Sequence, residues 1–133
     1  MTKFVVDAGV VIRLARENLE VHSKHELFAP TLLRSQVLSS LHEAVDRGEL
    51  TADEGRALLE RTSAIKMRLL GDLVLRRNAW TYADDLGDAS TYEAEYLALT
   101  RLQGDAFVTL DSRLAKRAAA LVPTEPFEAL FQG

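Results

Sequence analysis

The sequence predicts an α/β domain with a small, mainly parallel sheet that helices cover on both faces. Three observations predict this class. Short apolar runs of strand length alternate with longer segments whose apolar residues recur at helical spacing. The predicted helices outnumber the predicted strands, and no long linker, low-complexity segment or tandem repeat divides the chain. One pattern also occurs twice, about a hundred residues apart: an apolar strand that leads into an aspartate and then into a helix.

The predicted strands are short apolar runs, often β-branched, that end at polar or turn-forming residues. They cover residues 3–6, 27–29, 63–69 and 106–110. Asp7 directly follows the first strand, Pro30 closes the second, and Asp111 follows the fourth. The third strand rests on a weak alternation through Ile65 and Met67.

The predicted helices carry apolar side chains three or four positions apart, and most begin at a capping residue. They cover residues 10–16, 31–47, 51–61, 72–86 and 88–104, and a sixth follows Asp111. Thr31 and Asp88 are the predicted N-caps of the second and fifth helices. Thr51 and Glu54 form the capping-box pattern at the start of the third helix.

The length and the C-terminal sequence predict one domain. A chain of 133 residues is large enough for a proper core. Pro123 and Pro126 predict an extended segment after the last helix. Residues 131–133 resemble the remnant of a viral-protease tag site, although they are equally compatible with native sequence. We therefore expect a single domain over residues 1–130, followed by a short tail over 131–133.

The composition narrows the class of protein further. Hydrophobic residues make up 47% and charged residues 27% of the chain, as in a globular protein. The absence of cysteine excludes disulfides, thiolate metal sites and cysteine nucleophiles. No signal peptide or membrane-length apolar run is visible, so we expect a soluble, cytoplasmic protein without a membrane partner. A net charge of −4 argues against sequence-independent coating of nucleic acid. It still allows an enzyme that acts on RNA, because a bound cation can supply local positive charge.

The aspartates that end two predicted strands form the first candidate site. In a parallel sheet the carboxyl ends of the strands share one edge, where ligands bind. Asp7 and Asp111 are therefore expected to lie close together. Two carboxylates repel each other, and a Mg²⁺ or Mn²⁺ ion removes that cost while activating water and stabilising phosphoryl charge. The alternative is that each aspartate only caps the helix that follows it.

Glu93 is the best candidate for a third acid. Tyr92, Tyr96 and Leu99 form one apolar stripe on the predicted fifth helix, and Glu93 lies beside that stripe. We expect Glu93 at the boundary of the buried face and Glu95 in solvent. A solvated surface glutamate is the alternative for Glu93.

Polar and basic residues near these acids are weaker candidates. The hydroxyls of Thr109 and Ser112 flank Asp111 and could bind phosphate, orient a carboxylate or cap a helix. Basic side chains on the last helix and before Gln36 could contact RNA phosphates, or form an ordinary solvated face. They are Arg113, Lys116, Arg117 and Arg34.

Other chemically notable residues are expected to be structural. His22 and His25 lie in a polar loop with no third ligand in view, so we expect solvated loop histidines. We expect Trp80 and Tyr82 in the core or in an interface.

Four segments in register resemble PIN-domain ribonucleases, in particular the VapC-type toxins of bacterial toxin–antitoxin pairs. They begin at Val5-Val6-Asp7-Ala8, Ala29-Pro30-Thr31-Leu32, Tyr92-Glu93-Ala94-Glu95 and Phe107-Val108-Thr109-Leu110-Asp111. The resemblance covers nearly the whole chain. It implies a PIN-like three-layer α/β/α sandwich and a divalent-metal-dependent endoribonuclease. It also implies an RNA substrate, a small cognate antitoxin and a homodimer.

The same resemblance assigns roles to particular residues. Asp7, Glu93 and Asp111 would hold Mg²⁺ or Mn²⁺, and Gln36 would position water or substrate. The family usually has glutamate in place of Gln36, aspartate in place of Glu93, and serine or threonine in place of Gly9.

These departures predict weaker metal binding or low activity. Glu43 is two helical turns from Gln36, about 10 Å along the axis, and too far away to replace it directly. An interaction domain with a degraded metal site is therefore the main alternative. A metal-dependent phosphatase is a third hypothesis, and no glycine-rich phosphate loop supports it.

Overall fold

Strands and helices alternate along the chain in the order that the sequence predicts. The computed structural model describes all residues from Met1 to Gly133. Its elements are β1 (Lys3–Val6), α1 (Ala8–Arg16), β2 (Glu26–Pro30), α2 (Leu32–Asp46), α3 (Ala52–Ala64), β3 (Arg68–Leu70), α4 (Leu73–Leu86), α5 (Tyr92–Leu102), β4 (Ala106–Val108), α6 (Ser112–Ala119) and a 3₁₀ helix, Phe127–Phe131. The predicted α/β class is confirmed.

The four strands form one parallel sheet in the order β3-β2-β1-β4. Phe4 pairs with Leu27 on one side of β1 and with Ala106 on the other. Phe4, Val5 and Val6 alternate between the faces of the sheet, yet all three are buried. Helices therefore cover both faces, and the residues that follow β1 and β4 emerge at the same edge.

The helices pack in groups around this sheet. Helices α1, α2 and α3 contact one another, α4 packs on α5, and α5 packs on β1, β2 and β4. The core is one cluster of 30 buried apolar residues that joins both groups. No helix has both the length and the apolar character needed to cross a membrane.

Two predicted strand boundaries are wrong. Helix α3 runs on to Ala64, and β3 begins only at Arg68. The hydroxyls of Thr62 and Ser63 bond the carbonyl of Leu59, so these residues continue the helix where the sequence alternates weakly. Strand β4 ends at Val108, three residues before Asp111.

The predicted helix caps have mixed outcomes. Thr51 and Glu54 form the predicted capping box. Thr31 holds the N-cap position of α2 but makes no side-chain capping bond, because its backbone is already helical. Asp88 does not cap α5, which begins at Tyr92 after Thr91. The Asp88 carboxylate binds Arg117 instead.

The C-terminal segment packs against the core. Phe107 pairs with Thr124 in a parallel bridge, and Phe127 and Leu130 are buried. The Phe131 ring lies 5.2 Å from the Phe127 ring. Whether residues 131–133 are a tag remnant stays a prediction.

The histidine loop is less solvated than we expected. The His25 ring packs edge-on against Phe4, at a centroid distance of 5.0 Å, and its Nε2 contacts the Gln132 carbonyl oxygen. His22 and His25 are both partly buried.

Gly104 allows the α5–β4 turn to approach β1 closely. A Cβ at this position would lie 2.7 Å from Cγ2 of Val5 and 3.4 Å from the carbonyl oxygen of Lys3. We predict that Gly104→Ala lowers the free energy of unfolding by about 1–3 kcal/mol, because Val5 is fully buried and has no room to move. Urea denaturation measures the change. Gly9→Ala is the control, because its Cβ would meet only Asp7 Oδ1, at an ordinary 3.7 Å. An equal effect of both substitutions would contradict the packing argument.

Candidate active site

Asp7 lies directly after β1 and caps the helix that follows it, which is one of the two roles that the sequence left open. As N-cap of α1, its Oδ1 accepts the Val10 N–H at 3.2 Å. Its Oδ2 accepts the Thr109 hydroxyl at 2.5 Å. Burial raises the pKa of the Asp7 carboxyl, and the nearby charge of Asp111 adds to the rise, whereas the Thr109 bond opposes it. The Asp7 carboxylate is thus poorly solvated, and a nearby positive charge would stabilise its ionised form.

Asp111 is exposed at the same edge of the sheet and caps α6. Its Oδ1 accepts the N–H groups of Arg113 at 2.9 Å and Leu114 at 3.2 Å. The Thr109 hydroxyl that donates to Asp7 also accepts the Asp111 N–H at 3.2 Å. Thr109 therefore links the two aspartates and orients the Asp7 carboxylate.

Glu93 is held by two arginines of α6. Its carboxylate accepts hydrogen bonds from Arg113 at 2.7 Å and from Arg117 at 3.0 Å. Arg117 also donates to Asp88 at 2.7 Å and so bridges two acids. The Glu93 side chain is 31% exposed, which places it at the edge of the buried face as we expected. Its charge is largely neutralised in this arrangement.

Gln36 is fixed by a buried tyrosine of α5. The Tyr96 hydroxyl donates to Gln36 Oε1 at 2.5 Å. Burial, assisted by the charges of Asp7 and Glu95, raises the pKa of Tyr96 far above its usual value, so the phenol stays protonated. Because the Gln36 oxygen accepts this bond, the Gln36 amide N–H₂ group remains as a donor.

Gln36, Asp7 and Glu93 line a pocket of about 530 Å³ between α2 and α5. One wall is a polar stripe of α2, of which the sequence analysis named Gln36 and Glu43 but not the three serines. It consists of Ser35, Gln36, Ser39, Ser40 and Glu43. The signal for it was present, because these residues recur at helical spacing. A larger cavity, of about 860 Å³, lies beside His22 and His25 and contains none of the candidate acids.

Other predicted residues lie outside this pocket. Arg34 lines a separate groove with Val37 and Leu59. Ser112 is exposed at the first turn of α6. Glu95, which we expected in solvent, is half-buried, and burial raises its pKa.

The aromatic expectations hold only in part. Trp80 is 70% exposed and thus outside the core, whereas Tyr82 is half-buried. Tyr92 is 58% exposed and does not share the buried stripe of Tyr96 and Leu99.

The side chains fit a divalent cation with few protein ligands. No group of three or more histidine or acidic side chains is placed so that it could hold a metal ion. Arg113 and Arg117 engage Glu93 in ion pairs. Asp7 and Asp111 remain as oxygen donors. Mg²⁺ commonly takes one or two carboxylates and completes its shell with water and substrate phosphate. The side chains therefore fit a cation that would take one or two protein carboxylates and complete its coordination shell with water and phosphate, rather than a cation held by protein ligands alone.

Comparison with known proteins identifies relatives of this chain and a solved structure with a similar fold. No protein-family model matches the chain. The sequence is 30% identical over 122 residues to the VapC ribonuclease Mb0985 of Mycobacterium bovis and to ribonuclease VapC9 of Mycobacterium tuberculosis. Each alignment covers 90% of this chain and 94% of the relative. The fold resembles the crystal structure of PAE2754 from Pyrobaculum aerophilum, with a TM-score of 0.75 and 23% identity over 97% of this chain and 92% of that one.

The parallel sheet, with aspartates at its carboxyl edge, defines a PIN-like α/β domain. The sequence identity to these relatives, and the share of both chains that the alignments cover, then show the family. The chain belongs to the VapC ribonucleases, the PIN-domain toxins of toxin–antitoxin pairs.

Proposed function

We propose that this chain is a divalent-metal-dependent endoribonuclease, the toxin of a VapBC-type pair, which hydrolyses RNA phosphodiester bonds. The observation that carries the proposal is the link between Asp7 and Asp111 through Thr109, at the edge of the sheet beside the pocket. The family membership supports the substrate class. Asp7 and Asp111 would hold Mg²⁺ or Mn²⁺, with Glu93 as a further ligand once its arginines release it.

The side chains around the pocket have distinct roles in this proposal. A bound cation supplies an activated water and neutralises charge on the phosphate. Thr109 holds Asp7 in orientation, and Tyr96 keeps the Gln36 amide turned so that its N–H₂ donates toward water or a phosphate oxygen. The Arg113 side chain is 58% exposed, and it would have to leave Glu93 to contact an RNA phosphate. Ser112, at the first turn of α6, is a weaker candidate for the same contact.

A second candidate function is an interaction domain whose metal site has decayed. The ion pairs of Glu93 with Arg113 and Arg117 favour it, because they occupy the third acid without any cation. The neutral Gln36 favours it too, since hard cations are held mainly by carboxylate charge.

We propose three kinds of partner for this chain: RNA, an antitoxin and a second copy of itself. A small antitoxin is the expected inhibitor, as the family membership implies, and two copies of the chain are expected to associate. The net charge of −4 predicts that RNA binding depends on local contacts at the pocket, so its dependence on salt should be shallow.

RNA cleavage tests the function directly. The metal-free protein is incubated with structured RNA in EDTA, Mg²⁺ or Mn²⁺, beside an Asp111→Asn variant. We expect cleavage only with a metal ion, and a strong loss in the variant. Cleavage by neither protein in any condition would favour the interaction domain. Equal cleavage in EDTA would contradict the metal dependence.

The arginines on Glu93 supply a separate prediction. Arg117→Gln should raise the affinity for Mn²⁺ several-fold, because Glu93 and Asp88 lose the guanidinium group that pairs with both of them. It should also lower the free energy of unfolding by about 1–2 kcal/mol, since two partly buried charge-assisted bonds are lost. Calorimetric titration and urea denaturation measure these changes. Lys116→Gln removes an equal charge from the exposed face of α6 and serves as control. If both variants bind Mn²⁺ alike, Arg117 does not limit the metal site.

A further inference from the structure

Tyr92 is an exposed aromatic residue at the pocket that Asp7 and Gln36 line. It begins α5 and is 58% exposed. Its ring makes no aromatic or cation–π contact within the chain. Packing inside the protein therefore does not account for this side chain. An exposed tyrosine instead presents a flat, rigid π face to a ligand that enters the pocket.

The pocket has little means of holding RNA by charge alone. None of the residues that line it is basic, whereas three of them, Asp7, Glu43 and Glu93, are acidic. A divalent cation would attract one phosphate group, yet carboxylates repel the rest of the phosphate backbone. Further binding energy at the pocket must therefore come from contacts that carry no charge.

Tyr92 is the side chain of the pocket that is best suited to such a contact. The pocket has one other aromatic residue, Tyr96, which is buried and donates its hydroxyl to Gln36. Aromatic side chains bind single-stranded nucleic acid because every base has a π face that stacks on their rings. The pocket volume of about 530 Å³ lies within the range of small-molecule sites, so the pocket has room for a nucleotide.

We propose that Tyr92 stacks on a nucleobase of the RNA beside the scissile phosphate and so positions the strand in the pocket. The inference rests on the proposed function, since it takes RNA as the ligand. Tyr92 directly precedes Glu93, so a base on its ring lies beside the candidate acids. The bases of a duplex are already stacked on their neighbours, so Tyr92 accepts only an unpaired base.

Two substitutions separate the aromatic ring from the rest of the side chain. Tyr92→Leu removes the ring and keeps an apolar side chain, whereas the matched control Tyr92→Phe keeps the ring and removes only the hydroxyl. We expect Tyr92→Leu to weaken binding of a single-stranded oligoribonucleotide about tenfold or more, and Tyr92→Phe to bind like the parent. Fluorescence anisotropy measures the binding in Ca²⁺, which oxygen ligands also hold. Because Tyr92 is exposed, both variants should melt close to the parent.

Oligoribonucleotides that contain 2-aminopurine report on the stacking itself. The fluorescence of this base falls when an aromatic ring stacks on it. The parent and Tyr92→Phe should therefore quench it, and Tyr92→Leu should not. Parent-like binding by Tyr92→Leu, or equal quenching by all three proteins, would overturn the inference.

Cleavage by the same proteins in Mg²⁺ or Mn²⁺ separates this inference from the ribonuclease proposal. If the parent cleaves RNA and Tyr92→Leu binds and cleaves equally well, only the role of Tyr92 is refuted. If the parent binds RNA through Tyr92 but does not cleave it with either metal ion, only the ribonuclease is refuted. A parent protein that binds no RNA would overturn both.

Discussion

Replacing Asp7 with asparagine is expected to reduce RNA cleavage at least about a thousandfold, with the fold intact. The loss corresponds to about 4 kcal/mol of transition-state stabilisation, a reasonable share for a cation that neutralises a phosphoryl group. Asparagine can still accept the Val10 N–H through its side-chain oxygen, so the start of α1 is preserved. Cleavage of a labelled structured RNA in Mg²⁺ measures the effect.

The same substitution should stabilise the metal-free protein at neutral pH. Burial raises the pKa of Asp7, so the folded state binds a proton more readily than the unfolded chain does. Stability therefore falls as pH rises from the ordinary aspartate pKa through the raised one, and above that window the full cost of the buried charge remains. A neutral asparagine side chain carries no such cost. The melting temperature in EDTA should rise by a few degrees at pH 7, and the difference should narrow as pH falls toward 4.

Asp53→Asn is the matched control for Asp7. Asp53 is an exposed acid in the first turn of α3 and does not line the pocket. Its replacement should leave cleavage unchanged and should not stabilise the protein. Full activity of the Asp7→Asn variant would contradict the role of Asp7, even if its melting temperature rose as expected.

Replacing Gln36 with glutamate is expected to raise Mn²⁺ affinity by about tenfold or more and to increase cleavage. Glutamate adds a further carboxylate to the pocket that Asp7 lines, and affinity for hard cations follows ligand charge. The buried Tyr96 hydroxyl already donates to the Gln36 oxygen and would donate to a carboxylate in its place. The new charge therefore has a hydrogen-bond partner. Calorimetric titration of the metal-free protein measures the affinity.

His42→Glu is the control for Gln36→Glu. It adds a carboxylate to the same helix but outside the pocket, so it tests whether the position of the new charge matters. His42 is exposed on α2 and does not line the pocket, so a carboxylate there should leave the Mn²⁺ affinity almost unchanged. If Gln36→Glu improves neither metal binding nor cleavage beyond this control, Gln36 has been placed in the wrong role.

Features set by local chemistry could be predicted from the sequence. Strand β1 ends where the apolar run meets Asp7, and the capping box at Thr51 forms because both partners are three residues apart. The shared edge of β1 and β4 follows from parallel pairing, a general property of α/β sheets. The fold class and the positions of Asp7 and Asp111 therefore needed no tertiary information.

Features that depend on long-range contacts could not be predicted in this way. The Thr109 hydroxyl reaches Asp7 across 102 residues of sequence, and Tyr96 reaches Gln36 across 60. Aspartate is a common helix cap, yet the Asp88 carboxylate instead accepts a charge-assisted hydrogen bond from Arg117 in the folded chain. The arginines on Glu93 likewise come from a helix that packs beside it only after folding. Sequence patterns identify the candidate acids, but only the tertiary structure shows which of them are not paired with an arginine.

Binding of Mn²⁺ to the metal-free protein, followed by electron paramagnetic resonance of the free ion, tests the central claim most directly. We expect saturable binding to the parent, tighter binding to Gln36→Glu, and loss of binding in both Asp7→Asn and Asp111→Asn. Undiminished binding in the two aspartate variants would contradict the claim that Asp7 and Asp111 form the metal site.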